Sequence, residues 1–150
     1  MANADTPHSS VRILLVDDYE PWRRRIRSTL EARLELQVVG EASDGLEAIL
    51  KAQELQPDLI LLDIGLPTLN GIEAATRIHK VARSAKILFA SMINDLEVVG
   101  VALSNGAKGY LLKTDAWSEL MPAIEAVVRG DRFLSAGLKA HTLAATVRTS

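Results

Sequence analysis

Five polar side chains close four apolar runs of this sequence. Asp17 and Asp18 follow VRILLV, Asp63 follows LILL, Ser91 follows AKILFA and Lys113 follows GYLL. A run that becomes a buried strand has little reason to end on a carboxylate, because charge at a core's edge is costly unless something pairs with it. Three carboxylates brought together also repel one another. At about 4 Å and an effective dielectric of about 20, each like pair costs about 4 kcal/mol. A hard divalent cation relieves this, and oxygen-only ligands with no His or Cys nearby favour Mg2+ over zinc. Magnesium keeps several waters and takes one or two carboxylates plus phosphate oxygens, so such a site is poised for a phosphoryl group. Lys113 offers a mobile positive charge and Ser91 a hydroxyl, both suited to phosphate oxygens. Asp63, beside the metal, is a candidate nucleophile toward phosphorus.

Taken singly, each residue has a plainer reading. Asp17 or Asp18 after a strand is most often a turn or helix cap. Ser91 alone is a satisfied hydroxyl, and Lys113 alone a solvated charge. Their joint placement carries the chemistry, and that placement depends on the elements. The runs VRILLV, LQVVGEA, DLILLD, AKILFA and GYLLK begin about 22–27 residues apart, the length of a strand plus a crossover helix. Most are apolar on both faces, as parallel strands covered on each side must be. Between them the apolar residues take helical spacing: Trp22, Ile26, Leu30 and Leu34; Leu46, Ile49 and Leu50; Ile72, Ala75, Ile78 and Ala82; Leu96, Val99 and Leu103; Leu120, Ile124, Val127 and Val128. Pro122 is expected to kink the last helix or mark its start. The pattern predicts a doubly wound α/β sandwich of five strand–helix units around a five-stranded parallel sheet. In such sheets functional groups collect at the carboxyl ends of the strands, where all five polar residues fall.

The totals agree with one soluble domain. The chain has 150 residues, a net charge of −2 and no cysteine, which removes disulfides, thiolate metal sites and cysteine nucleophiles. A near-neutral balance argues against nucleic acid as the direct partner of this chain. No run approaches the roughly 18–20 apolar residues of a membrane span, and the first ten residues lack a signal peptide's apolar centre. A cytoplasmic protein is expected. Residues 1–10 read as a disordered segment, 11–130 as the domain, and 131–150 as a tail or linker that cannot supply a helix-turn-helix.

The motifs LLVDD, LLDIGLPTLNGIEA, SMIND and GAKGYLLKTD resemble, in order and spacing, the response-regulator receiver domain of two-component signalling. SDGLEA and RGDRFLS point to its NarL/FixJ (LuxR-type) branch. The resemblance implies a flavodoxin-like fold in which Asp63 accepts a phosphoryl group from a sensor histidine kinase or a small donor such as acetyl phosphate. It implies that Asp18, Asp63 and the Gly65 carbonyl ligate magnesium, that Asp17 acts mainly through water, and that Lys113 pairs with the phosphoryl oxygens. Ser91 would then swing to the phosphate and Tyr110 turn inward behind it, a population shift needing about 1–3 kcal/mol of coupling. It further implies slow self-dephosphorylation, a homodimer on phosphorylation, and DNA contact only through a C-terminal domain absent from this chain. Thr114 stands where many receivers have a proline joined by a cis bond, so a trans bond after Lys113 is expected here.

Other readings are weighed on the same residues. A phosphatase of the haloacid-dehalogenase type needs a second acid two residues after the nucleophile, where this chain has Gly65. A dinucleotide site needs a glycine-rich turn where this chain has VDDYEPW. A receiver-like scaffold that binds partners without phosphorylation has no use for the full acidic set. Arg23, Arg24, Arg25 and Arg27 read as a solvated face balanced by nearby Glu, and Trp22 and Trp117 as core. Val98 and Val101 lie opposite the stripe of their helix, a candidate dimer or output surface. His8, His79 and His141 have no metal-spaced partners, and His79 reads as a surface residue.

Overall fold

The computed structural model describes residues 10–138. The expectations for residues 1–9 and 139–150, His8 and His141 included, lie outside them. The chain alternates β1 (Val11–Val16), α1 (Glu20–Glu31), β2 (Leu36–Ala42), α2 (Gly45–Leu55), β3 (Leu59–Leu62), α3 (Gly71–Val81), β4 (Lys86–Ser91), α4 (Leu96–Ser104), β5 (Gly109–Leu112), α5 (Ala116–Val128) and β6 (Phe133–Leu134). All pairings are parallel and the sheet order is β2-β1-β3-β4-β5-β6. The expected count of five strands is therefore corrected to six. RGDRFLS folds back beside β5, with Gly109 opposite Phe133 and Tyr110 opposite Leu134. Two residues are too short to show a strand period, which is why the sequence gives no strand there.

Strand alternation sorts the core into two layers. Ile13, Leu15, Leu59, Leu61, Leu88, Ala90 and Leu111 face α1 and α5. Leu14, Val16, Ile60, Leu62, Ile87, Phe89, Tyr110 and Leu112 face α2, α3 and α4. With both faces covered, the strands need no polar side, and β3 is buried at every position.

Three helices start on side-chain caps that also fix the loops at the functional end. Asp44 accepts from the Glu47 N–H (2.8 Å), and the Glu47 side chain reaches back to the N–H of Ser43, just before the cap (2.8 Å). Asn70 caps α3 by accepting from the Glu73 N–H, and Asp95 caps α4 by accepting from the N–H groups of Glu97 and Val98.

Several helical expectations need correction. α1 ends at Glu31, so Leu34 falls beyond it and is 97% exposed. On α2 the inward residues are Ala48 and Ala52, while Leu46 and Leu50 point outward. Small residues face the sheet because α2 packs close to it, and residue size misled the stripe. Pro122 does not start α5, which runs from Ala116 through it. Trp117 is half exposed rather than core, and His79 is half-buried with Nε2 lacking a partner. Among the described residues no helix is long and apolar enough to cross a membrane.

Candidate functional site

Asp17 and Asp63 are the first residues past β1 and β3, which lie side by side, and Lys113 is the first past β5. Their side chains meet. The Lys113 ammonium lies 2.5 Å from Asp17 Oδ2 and 3.3 Å from Asp63 Oδ2, with its own side chain only 10% exposed. Carboxylate oxygens of Asp17, Asp18 and Asp63 all lie within 4.8 Å of one another. Asp17 and Asp63 are buried and Asp18 is exposed, so the cluster opens to solvent on the Asp18 side. A cleft of about 490 Å³ lies over it, rimmed by Tyr19, Trp22, Met92 and Thr114.

The local backbone fixes each acid. The Tyr19 N–H donates to Asp17 Oδ1 (2.9 Å) and the Ile64 N–H to Asp63 Oδ1 (2.7 Å), leaving both Oδ2 atoms to Lys113. The loop carrying Asp63 is clamped by two glycines. Gly71 N–H donates to the Ile64 carbonyl (2.8 Å), and a Cβ there would fall 2.0 Å from the Asp63 carbonyl oxygen. A Cβ at Gly45 would fall 2.1 Å from the Leu69 carbonyl oxygen. Space, not backbone freedom, demands glycine at both. Gly65 differs: a Cβ there meets nothing within 4 Å.

One lysine does not balance three carboxylates. Burial pushes the Asp17 carboxyl above its usual range; hydrogen bonds from Lys113 and Tyr19 oppose this, and the Asp63 charge adds to it. A carboxyl raised in the folded state contributes stability that is present at low pH and lost as pH rises through its folded value. At neutral pH its charge therefore costs stability. Asp17→Asn is expected to raise the urea midpoint in metal-free buffer, with the gain shrinking as pH is lowered toward about 4; a loss of stability at pH 7 would contradict this. The donor set fits magnesium: three clustered carboxylates, no soft ligand, and an opening wide enough to leave room for waters.

Ser91 and Tyr110 are joined through the backbone of one residue, Ile93. Ser91 Oγ accepts from the Ile93 N–H (3.1 Å), and the Tyr110 hydroxyl donates to the Ile93 carbonyl (2.7 Å). Tyr110 is fully buried, its ring 6.1 Å from that of Phe89, so it is already inward. Burial raises its phenol above the usual range; a hydrogen bond with Ser91 opposes this and the Asp63 charge adds to it. The Lys113–Thr114 bond is trans, and Lys113–Asp115 forms a single 3-10 turn leading into α5.

Sequence reasoning missed five participants. Arg23 donates to the Asp17 carbonyl (2.6 Å) and pairs with Glu41 (2.9 Å), so it belongs to the site's frame rather than to a solvated face. Arg27 also pairs with Glu41; burial alone would raise that carboxyl, but the two arginines hold it below its usual range. The Ile93 backbone is invisible to side-chain logic. Ser135 donates its N–H to the Tyr110 carbonyl (3.1 Å), and its Oγ accepts from the Leu112 N–H (2.8 Å). Trp22 lies over the Lys113 ammonium, 4.9 Å from ring centroid to Nζ.

The sequence model of the response regulator receiver domain matches residues 13–125. The chain belongs to that family. The receiver is 38% identical to the nitrate/nitrite response regulator NarL of Escherichia coli over 138 residues, covering 92% of this chain and 63% of NarL. It is 41% identical over 123 residues to the response regulator VraR of Staphylococcus aureus, covering 81% of this chain and 58% of VraR. The chain thus spans less than two thirds of these relatives. Among solved structures, a LuxR-family two-component response regulator from Aurantimonas superposes with a TM-score of 0.87 at 35% identity, covering 93% of this chain and 99% of that one. The receiver of a putative NarL from Mycobacterium tuberculosis gives 0.77 at 30% identity, covering 81% and 98%. The receiver is a two-component signalling domain of the NarL/LuxR type rather than a classical enzyme.

Proposed function

We propose that this receiver is switched by phosphorylation of Asp63. The observation that carries the reading is the shared lysine: one buried ammonium reaches both Asp17 and Asp63 beneath an open cleft. In the transfer, an Asp63 oxygen attacks phosphorus of a sensor histidine kinase's phosphohistidine, or of acetyl phosphate. The new P–O bond forms as the donor's P–N or P–O bond breaks, and the donor leaves with the electron pair. Asp18, Asp63 and the Gly65 carbonyl would hold Mg2+, and Asp17 would act through water. The ion supplies neutralisation of the charge gathered on the carboxylates and phosphoryl oxygens. Lys113 exchanges its contact with Asp63 Oδ2 for a phosphoryl oxygen, stabilising charge where it develops. Ser91 leaves the Ile93 N–H to reach another phosphoryl oxygen, which frees one side of the residue whose carbonyl Tyr110 holds. The acyl phosphate is lost by slow hydrolysis within the same site.

The similarity to NarL and VraR extends the proposal to a cytoplasmic regulator. In it the receiver pairs with itself when phosphorylated and governs transcription through a further DNA-binding domain. Intact-mass spectrometry after incubation with acetyl phosphate and magnesium tests the core of it. One phosphoryl adduct is expected, absent with EDTA and absent in Asp63→Asn. No adduct on folded protein, or an unchanged adduct in the variant, overturns the assignment.

A further inference from the structure

The Lys113 ammonium has three neighbours, and only two of them are acids. The third is the face of Trp22, at 4.9 Å. Trp22 sits in the first turn of α1, its backbone N–H donating to the Tyr19 carbonyl (3.1 Å), and its side chain lines a narrow crevice with Leu15, Ile26, Leu61 and Ala90. Trp117 packs against it at 5.6 Å with the planes tilted by 50°, and the Arg25 guanidinium covers Trp117 at 4.3 Å. Cation, indole, indole and cation thus form a stack running from the cleft to the surface.

We propose that Trp22 is a positioning residue for phosphoryl transfer, acting through Lys113; this rests on the phosphoacceptor reading of Asp63. Lysine carries its charge on a flexible four-carbon stem and is strongly hydrated, so its ammonium stays over the cleft only while something there holds it. The carboxylates are the groups for which a divalent cation competes. The indole face is not, because it offers no lone pair to a hard ion but attracts an ammonium through its quadrupole. Trp22 therefore keeps Lys113 at the cleft when Asp17 and Asp63 turn to the metal, at the point where phosphoryl oxygens arrive. A ring present only to fill the crevice makes a different prediction, since a leucine fills it nearly as well.

Phosphorylation by acetyl phosphate at saturating magnesium separates the two. Trp22→Leu is expected to slow adduct formation about fivefold, and Trp22→Phe, which keeps a weaker π face, about twofold. Melting temperature and magnesium affinity should stay near the parent's in both. In a Lys113→Met background Trp22→Leu should change the residual rate by less than about 1.5-fold, because the contact it removes is already gone. A second readout needs no phosphorylation. With Trp117→Phe leaving Trp22 as the sole tryptophan, Lys113→Met should alter its emission in metal-free buffer. A parent that forms no adduct overturns the phosphoacceptor reading itself. A phosphorylatable parent whose Trp22→Leu rate is unchanged, or equally slowed with and without Lys113, overturns the positioning role alone. If Trp22→Leu does not fold, Trp22→Phe and the emission measurement decide by the same criteria.

Discussion

Lys113→Met is expected to slow adduct formation by about 10²–10³-fold and to destabilise the metal-free receiver by about 3 kcal/mol. The first figure is the usual cost of removing one preorganised donor from a developing oxyanion. The second follows from burial. Lys113 is 10% exposed at the side chain and Asp17 only 4%, so removing the ammonium leaves a desolvated carboxylate with no counter-charge beside another. Methionine keeps most of the stem's packing against Trp22, which limits the loss to charge. Magnesium should then stabilise the variant more than the parent, because the acids it meets are no longer shared. Urea denaturation with and without the ion measures both terms. A variant as stable as the parent in EDTA would mean that solvent, not Lys113, satisfies these acids.

Gly71→Ala is the second large effect, and it works through the backbone. The added methyl would lie 2.0 Å from the Asp63 carbonyl oxygen and 2.8 Å from the Ile64 Cα, distances that no side-chain rotation can relieve. Either α3 moves away or Asp63 does, by about 1 Å. Overpacking of this kind costs about 3 kcal/mol, and misplacing a reacting group by 1 Å costs about 10²-fold in rate. Gly65→Ala is the matched control. It lies two residues from Asp63 with open space at its Cβ, so its melting temperature should stay within about 1 °C of the parent's. Thermal unfolding and adduct formation on both proteins check the contrast. Equal behaviour of the two would show that loop geometry, not the α3 contact, positions Asp63.

The placement of the site residues was legible because strand ends announce themselves. An apolar run that stops on Asp, Ser or Lys puts that residue at the sheet's carboxyl edge once the strands are parallel, and Asp17, Asp63, Ser91 and Lys113 needed nothing more. The resemblance to the receiver family added the expected roles of Gly65 and Tyr110. What stayed hidden is what periodicity cannot encode. Ala48 and Ala52 outrank Leu46 and Leu50 as core residues because the face that α2 turns inward carries small side chains, which hydropathy ranks below leucine. Arg23 reads as one more surface cation until Glu41, on another element, takes it. Trp117 has the spacing of a core residue yet is half exposed beneath the Arg25 guanidinium, while Trp22 packs against the core and carries Lys113 on its face. Phe133–Leu134 is a strand only by virtue of β5 beside it.

That short strand changes what a workable fragment of the receiver is. Gly130 closes α5 and looks like the natural place to cut. A chain ended there would bare the outer edge of β5, where the Ser135 N–H and Oγ now serve the Tyr110 carbonyl and the Leu112 N–H. An unpaired, fully apolar edge of this kind is a template for another chain's strand. The boundary of the folding unit therefore lies past α5, and a fragment that keeps Ser135 carries its own protection against aggregation.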